Sequence, residues 1–262
     1  MTRKNTVSII TGGAGFLGVQ IFEALLELNH GKIIIIDNNK NNIKKFRKKF
    51  KRHNSKFKIY EADICSEKEI LLLYFEILKK FKKIDVLVNN ASIDYKPNSK
   101  KKKMDSFFDT SIKSWNQEIA VGLTGSLICS KIFSRSMKKN KYGIILNICS
   151  DLSVIAPDQR LYKHLNSIKP ASYSVVKHGL LGLTKYLASY LARENIRVNA
   201  LSPGGISNNQ DKIFVKKIRS LIPMNRMAKK NEYKNIIQFL CSERSSYMTG
   251  QNIVIDGGRS VI

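Results

Sequence analysis

The sequence has few cysteines and no long apolar run. Its four cysteines (Cys65, Cys129, Cys149 and Cys241) lie far apart, and none forms a CxxC pair or falls at metal-ligand spacing. Three of them lie in apolar or helical contexts, which favours buried, reduced thiols. No stretch reaches the ~18 apolar residues that span a bilayer, and the run at 7–10 is too short for the core of a signal peptide. We therefore expect a cytoplasmic protein with no membrane partner and no metal site.

Acidic residues are also scarce. The chain has 20 Asp and Glu against 46 Lys and Arg, a formal net charge of +26. Lysine-rich runs at 44–58 and 96–104 could attract phosphate backbones, but no helix-turn-helix, zinc-finger or RNP-type signature accompanies them. A nucleic-acid binder therefore stays open as an alternative. The main expectation is a solvated basic surface that attracts small anionic substrates, with no specific nucleic-acid partner.

Strand-like and helix-like segments alternate along the whole chain. Short apolar runs occur at 7–11, 32–37, 83–90, 142–150, 196–205 and 252–258, with helical patterns between them, notably at 112–139, 173–193 and 231–242. Unbroken β-branched runs are typical of parallel strands covered on both faces. The alternation predicts an α/β fold, a Rossmann-like doubly wound parallel sheet that forms a single domain over residues 1–262. Ligands of such sheets bind at the carboxyl ends of the strands, where small and polar residues follow here.

A glycine-rich turn joins the first strand to the first helix. It contains Gly12, Gly13, Gly15 and Gly18. Glycine permits a tight turn and lets the backbone approach a pyrophosphate, and the N–H groups of the following helix face the anion. The pattern indicates a dinucleotide site, with a plain tight turn as the alternative.

The end of the second strand bears on the choice of cofactor. A carboxylate at Asp37 can accept hydrogen bonds from the adenosine ribose hydroxyls and would repel a 2′-phosphate. The next residues are Asn38 and Asn39 rather than arginine, although Lys40 follows. This favours NAD over NADP. A helix-capping role for Asp37 is the alternative.

Tyr173 and Lys177 lie four residues apart in a helical pattern. With ten tyrosines and many lysines in the chain, the spacing alone carries little weight. One helical turn places both side chains on one face. A phenol ordinarily titrates near pH ~10, and a neighbouring ammonium lowers its pKa by stabilising the phenolate, which makes a proton donor or acceptor near neutrality. Upstream, the fifth strand ends at Ser150, whose hydroxyl could hold the same substrate oxygen.

These features belong to a longer ordered series of motifs. The series is TGGAGFLG, Asp63 in EADIC, NNAS at 89–92, Ser150 after IILNIC, Tyr173-x-x-x-Lys177, SPGG at 202–205 and YMTGQNIVIDGG. Together they resemble the single-domain short-chain dehydrogenases/reductases over essentially the whole chain. The resemblance implies a nicotinamide-dependent oxidoreductase that forms a homotetramer or homodimer.

The resemblance also implies roles for individual residues. Tyr173 would be the catalytic acid/base, Lys177 would bind the nicotinamide ribose and assist Tyr173, and Ser150 would orient the substrate oxygen. The positions implied to bind cofactor are Gly12, Gly15, Phe16, Leu17, Gly18, Asp37, Asn38, Asp63, Ile64, Asn89, Ala91, Tyr173, Lys177, Pro203, Gly204 and Ile206. The cofactor would carry the hydride, and the protein would supply position and the proton.

Loop sequences suggest a subgroup. SDLSVIAPDQRLY at 150–162, YSVVKHGL and ALSPGGISNNQ resemble the short-chain oxidoreductases of bacterial flagellin modification, which are associated with legionaminic-acid-type sugars. The resemblance implies a polar, sugar-derived substrate. A 3-oxoacyl-type reductase is the enzyme alternative, and the polar segment at 206–226 speaks against it.

Three residues depart from the family pattern. Phe16 stands where single-domain members usually carry glycine, and Ser92 also replaces a usual glycine. Gly122 stands where the family's catalytic asparagine is expected, a side chain that helps to organise a water chain behind the lysine. Gly122 therefore supports a second alternative, a cofactor-binding scaffold with weak or no turnover.

The segment between Ser150 and Tyr173 is longer than is usual in the family. Within it, Arg160 could clamp a phosphate or carboxylate, and His164 could assist. Asn208 stands where the family often has threonine near the carboxamide and phosphate. A surface or subunit-contact loop is the alternative interpretation of the segment.

Overall fold

Seven parallel strands form one sheet in the part of the chain that the computed structural model describes, residues 5–93 and 105–262. The strands are β1 (Val7–Thr11), β2 (Lys32–Asp37), β3 (Phe57–Glu61), β4 (Val86–Asn89), β5 (Gly143–Ile148), β6 (Ile196–Pro203) and β7 (Asn252–Ile255). Their order in the sheet is β3-β2-β1-β4-β5-β6-β7, and every neighbouring pair is parallel. The chain reverses its direction of winding between β1 and β4, which opens a crevice at the carboxyl edge.

Helices cover both faces of this sheet. They are α1 (Phe16–Glu27), α2 (Lys40–Lys49), α3 (Glu67–Phe81), α4 (Ile112–Ile119), α5 (Gly125–Lys139), α6 (Ala171–Leu191), α7 (Lys212–Arg219) and α8 (Lys234–Leu240). Short 3₁₀ turns lie at Lys51–Lys56, Phe107–Asp109, Asp151–Ser153, Gln159–Leu161, Lys163–Leu165, Ala192–Glu194, Glu243–Ser245 and Arg259–Val261. The predicted Rossmann-like, doubly wound fold is confirmed.

The isoleucines of β2 explain why the sheet is covered twice. Ile33 and Ile35 pack with α1, α2 and α8 on one face, while Ile34 and Ile36 pack with α3, α5 and α6 on the other. Alternate side chains of a strand point to opposite faces, so an unbroken apolar run needs a cover on each side. All four side chains are fully buried.

The lysine-rich run at 44–58 serves the core as well as the surface. Its three phenylalanines, Phe46, Phe50 and Phe57, surround Phe22 of α1, with ring centroids 4.9, 4.6 and 5.5 Å away. The intervening lysines are exposed. The sequence interpretation missed β3, which begins inside this run, because only Phe57 and Ile59 of the strand are apolar and buried. The run at 96–104 lies outside the described residues.

One long predicted helix, 112–139, is interrupted in the structure. α4 and α5 are joined through a π-helical turn at Ala120–Thr124 that contains the buried Gly122. Such turns insert an extra residue into a helix and occur frequently at functional sites. α4 and the turn pack against α6, so the interruption lies beside the Tyr173–Lys177 helix.

The four cysteines are free thiols. Cys129, Cys149 and Cys241 are buried and Cys65 is half-buried, each without a disulfide. Burial raises the pKa of Cys149 to about 12, and burial with the nearby Asp63 carboxylate raises that of Cys65 to about 11. Across the described ranges, each helix is too short or too polar to cross a membrane.

Candidate active site

The glycine-rich turn is held tightly at the carboxyl end of β1. Gly12 has a φ of +59°, and a Cβ there would lie 2.8 Å from the Ala91 Cα atom. Only glycine meets both conditions without strain. Gly15 caps α1 with extended backbone, and no described side chain caps it. Because the first helical turn, Phe16 to Val19, contains no acid, its N–H groups form a cradle suited to a pyrophosphate.

Asn90 and Thr11 fasten this turn to the neighbouring strand. The Asn90 Nδ2 atom donates to the carbonyl oxygens of Thr11 (3.1 Å) and Gly12 (3.0 Å). The Asn90 and Ala91 N–H groups donate to the Thr11 hydroxyl at 3.0 and 3.2 Å. The sequence interpretation placed Asn89 and Ala91 at the cofactor cleft and overlooked Asn90.

The side chain of Asn89 points into the sheet instead. Its Nδ2 atom donates to Ser130 Oγ at 2.9 Å and to Asn147 Oδ1 at 2.8 Å. The Asn147 amide in turn donates to Thr184 Oγ1 at 2.9 Å. Asn89 thus ties β4 to β5, α5 and α6, and its amide is used in the interior rather than in the cleft.

Asp37 links the end of β2 to the glycine turn. Its two carboxylate oxygens accept from the N–H groups of Ala14 (3.0 Å) and Asn39 (2.9 Å). The helix-capping alternative is wrong, because the Asn39 side chain caps α2 by accepting from the Asn42 N–H. Asn38 is exposed. Lys40 extends over the surface, where its Nζ atom lies 3.4 Å from Glu61 Oε1.

The remaining predicted cofactor positions lie at the same edge. Asp63 follows β3 and accepts from the Cys65 N–H at 2.9 Å, and the next residue, Ile64, is buried. Beyond β6, Gly204 N–H donates to the Ile255 carbonyl at 2.9 Å, and Ile206 forms a parallel bridge with Ala228. The predicted positions after β1, β2, β3, β4 and β6 thus share the carboxyl edge of the sheet.

The α6 helix brings the predicted catalytic residues to this edge. The buried Lys177 ammonium donates to the Ile148 carbonyl at 2.9 Å, two residues before Ser150. Its Nζ atom is 5.6 Å from the centroid of the Tyr173 ring, and α6 packs against the Asp151–Ser153 turn. Apolar contacts among Cys149, Val176, Leu180 and Ala200 hold the helix against β5 and β6.

A second lysine, missed in the sequence, lies against Tyr173. The Lys169 Nζ atom is 3.6 Å from the centroid of the Tyr173 ring, and Lys169 is buried. Gln159 holds its backbone through a reciprocal pair of bonds, Lys169 N–H to Gln159 Oε1 (2.8 Å) and Gln159 Nε2 to the Lys169 carbonyl (3.0 Å). The sequence signal that could have identified Lys169 was its position just before Pro170, at the start of α6 and four residues before Tyr173.

Two of the three predicted substrate residues, Arg160 and His164, have side-chain partners within their own region. Arg160 is exposed, and its guanidinium binds the Asp158 carboxylate, with Nη2 2.8 Å from Oδ2. His164 Nε2 lies 2.8 Å from Asp211 Oδ1, which joins the long loop to α7. The Phe214 N–H and His164 hold the pKa of Asp211 below its usual range. Asn208 is exposed. The loop is thus secured to α7, and the role of these three residues stays a prediction.

Gly122 is matched to Val176 of α6. A Cβ on Gly122 would overlap Val176 Cγ1, well inside van der Waals contact. Val176 is buried and β-branched, so it has little freedom to move away. The space that the family's asparagine would need is therefore filled from the neighbouring helix. Ser126 donates to the Gly122 carbonyl at 2.9 Å.

The fold and this edge define the class of protein. Residues 18–260 match the family model described as enoyl-(acyl carrier protein) reductase. The chain belongs to the short-chain dehydrogenase/reductase family, a class of NAD(P)-dependent oxidoreductases. The resemblance seen in the motifs is thereby confirmed.

Individual relatives cover nearly the whole chain. It is 29% identical over 256 residues to post-translational flagellin modification protein A of Campylobacter coli, with 97% of this chain and 98% of that protein aligned. It is 31% identical over 260 residues to 3-oxoacyl-(acyl-carrier-protein) reductase FabG of Aquifex aeolicus, with 97% of each aligned. A crystal structure of a short-chain dehydrogenase from Leptospira borgpetersenii with bound NAD⁺ matches with a TM-score of 0.84 at 31% identity, covering 99% of this chain and 94% of that one.

The contact between positions 122 and 176 generates a stability prediction. Gly122→Asn alone should lower the free energy of unfolding by about 1–3 kcal/mol, because the new side chain overlaps Val176. Val176→Ala should destabilise the wild-type background but stabilise the Gly122→Asn background, since it removes the overlapping methyl groups. Urea unfolding of the four proteins in this double-mutant cycle measures the effect. Equal stability of Gly122→Asn and wild type would contradict it.

Proposed function

We propose that the protein is an NAD-dependent oxidoreductase that interconverts a carbonyl and a secondary alcohol on a polar, anionic, sugar-derived metabolite. The observation that carries the proposal is the bond from Lys177 to the Ile148 carbonyl. It sets the Tyr173–Lys177 helix beside Ser150, at the edge that also bears the glycine turn and Asp37. A proton donor and an oxygen-binding hydroxyl thereby flank the crevice of a dinucleotide-binding fold.

The side chains divide the proposed chemistry among them. A bound nicotinamide cofactor would supply or accept the hydride. Tyr173 would donate a proton to the carbonyl oxygen during reduction and accept one from the alcohol during oxidation. Lys177 would stabilise the phenolate form of Tyr173, and its bond to Ile148 fixes its ammonium in place. Ser150 would hold the substrate oxygen.

The surroundings of Asp37 support NAD as the cofactor. The carboxylate is buried at the end of β2, and Lys40 is paired with Glu61 on the surface. A 2′-phosphate at this position would meet the negative charge of Asp37 without a bidentate arginine partner. Asp37 also supports the glycine turn directly through the Ala14 N–H, so it would serve both the turn and the ribose.

Positive charge beside Tyr173 supports an anionic substrate. The buried Lys169 ammonium lies over the Tyr173 ring, in the loop that separates Ser150 from α6. A substrate carboxylate or phosphate next to the reacting carbon would be attracted there. The flagellin modification protein among the relatives is consistent with a role in flagellin or surface-glycan sugar biosynthesis. A 3-oxoacyl thioester stays as the second candidate because of the Aquifex reductase.

A homotetramer or homodimer is part of the proposal. Val175, Tyr186 and Tyr190 are exposed on one face of α6, and the two tyrosine rings stack with centroids 5.9 Å apart. Between Val175 and Tyr186 along the helix, Gly182 has open space around its Cβ position, which would let a second helix approach closely. One domain over residues 1–262 and a cytoplasmic location stay predictions from the sequence.

The central test is Tyr173→Phe. We expect kcat to fall at least about 100-fold, because the proton donor is removed while the ring is kept. NADH affinity, followed by fluorescence, should change less than about twofold. Turnover is measured against amino sugars, sugar phosphates, nucleotide sugars and a 3-oxoacyl thioester, with the exposed Tyr247→Phe as control. Wild-type turnover in Tyr173→Phe would refute the proposed role.

Cofactor choice is tested at the end of β2. Wild type should show the higher kcat/KM with NAD. The double variant Asp37→Ser with Asn38→Arg should lower the NAD/NADP ratio of kcat/KM by about 100-fold, since it removes the repelling charge and supplies a phosphate partner. Asn38→Arg alone is the matched control and should have a smaller effect. A wild-type preference for NADP would overturn the assignment of Asp37.

The oligomer is tested by mass. Light scattering of wild type should give a multiple of the 29.8 kDa chain mass. Tyr186→Glu with Tyr190→Glu should shift the mass downward, because the charges would be buried at a subunit contact. Leu72→Glu with Phe75→Glu, a similarly exposed apolar pair on α3, should leave it unchanged. A single-chain mass for wild type would contradict the proposal.

A further inference from the structure

A buried carboxylate connects Ser150 to the carboxyl-terminal segment. The Ser150 hydroxyl donates to Asp151 Oδ1 at 2.8 Å, and Arg259 Nη1 donates to Asp151 Oδ2 at 2.7 Å. The Asp151 and Arg259 side chains are 5% and 7% exposed. The two residues are 108 positions apart in sequence, and neither was singled out by the sequence motifs.

The chemistry of a carboxylate fixes how Ser150 is oriented. An ionised carboxylate only accepts hydrogen bonds, so the Ser150 hydroxyl donates to Asp151, and this bond fixes the position of Ser150 Oγ. The hydroxyl hydrogen can then turn about the Cβ–Oγ bond to a substrate oxygen while Oγ stays in place. The Leu152 N–H donates to Asp151 Oδ1 at 2.9 Å and to Ser150 Oγ at 3.2 Å, which holds both side chains against the same turn. Arg259 binds the other carboxylate oxygen and prevents the carboxylate from rotating away.

Hydrogen bonds within the carboxyl-terminal segment place the Arg259 side chain next to Asp151. The Asp256 carboxylate accepts from the N–H groups of Gly258 (2.9 Å) and Ser260 (2.8 Å), which shapes the Arg259–Val261 turn. The residues just before Asp256 form β7, which pairs with β6. Arg259 is therefore positioned by the edge of the sheet itself.

Stability alone is a weak explanation for this pair. A buried ion pair loses much of its Coulomb energy to desolvation, and an apolar pair of similar volume is often as stable. We propose that Asp151 and Arg259 are positioning residues that orient the Ser150 hydroxyl, with Arg259 acting through Asp151. This inference rests on the proposed function of Ser150. It extends the active site to the last turn of the chain.

The experiment compares three variants of the full chain with wild type. Arg259→Met removes the guanidinium but leaves the carboxylate buried, so loss of stability is expected. The double variant Asp151→Leu with Arg259→Met removes both charges and also the acceptor of Ser150. Ser150→Ala tests the proposed function separately. Reduction of 2,3-butanedione with NADH serves as the turnover probe, and high-resolution crystal structures report the Ser150 rotamer.

The expected result separates positioning from folding. In the double variant the thermal midpoint should return to within about 4 °C of wild type, whereas kcat should stay roughly 100-fold low, because Ser150 is no longer oriented. Its hydroxyl should occupy a new rotamer or several, and NADH affinity should be unchanged. If the Asp151–Arg259 pair had only a structural role, the activity of the double variant would return together with its stability.

Chemical rescue tests the Arg259 link directly. Guanidinium chloride at low millimolar concentration should raise the kcat of Arg259→Ala by about fivefold or more, since the ion can bind the vacated carboxylate. It should not affect Arg226→Ala, in which the lost guanidinium was bound to the exposed Glu232.

Two outcomes count against different claims. A double variant with wild-type kcat and an unchanged Ser150 rotamer overturns the positioning role, even if Ser150→Ala is inactive. Wild-type kcat in Ser150→Ala overturns the proposed function of Ser150, and with it the catalytic meaning of the pair.

Discussion

The structure of the site depends on one buried ammonium. Lys177 is almost fully enclosed, and burying a charge is costly unless it is hydrogen-bonded. The carbonyl of Ile148 provides that bond, so α6 is fixed in register against the end of β5. Tyr173 stands one turn earlier on the same helix, and Ser150 follows Ile148 by two residues. Together with the apolar contacts of α6, this hydrogen bond sets the relation between the two elements that carry the proposed catalytic residues.

The sequence was sufficient to predict the fold and those candidate site residues that belong to short local motifs. Unbroken isoleucines predicted a doubly covered strand, and the motif order predicted the family. The contact between Asp151 and Arg259 could not be predicted in the same way. Arg259 meets Asp151 only after the whole sheet has been assembled, and no local spacing reports such a contact. The π-helical turn was missed because its apolar pattern continues that of the flanking helices.

The neighbouring side chains of Asn89 and Asn90 point to different parts of the structure. Successive residues at the end of a strand point in opposite directions. A motif of two consecutive asparagines identifies both residues as candidates, but it does not show to which side of the strand each side chain points. In the fold, Asn89 binds Ser130 and Asn147 inside the sheet, and Asn90 binds the glycine turn. The resemblance located the right edge, and only the three-dimensional register distinguished the two side chains.

The two roles of Asp37, one observed in the glycine turn and one proposed at the ribose, affect how cofactor preference could change. The carboxylate that faces the expected ribose also accepts the Ala14 N–H and so braces the turn beneath the pyrophosphate. In the proposed function, selectivity at the ribose and rigidity of the turn would therefore depend on the same carboxylate. A substitution at Asp37 would remove the bond to Ala14 together with the repelling charge, so a change of cofactor preference at full activity would need a new contact to the turn.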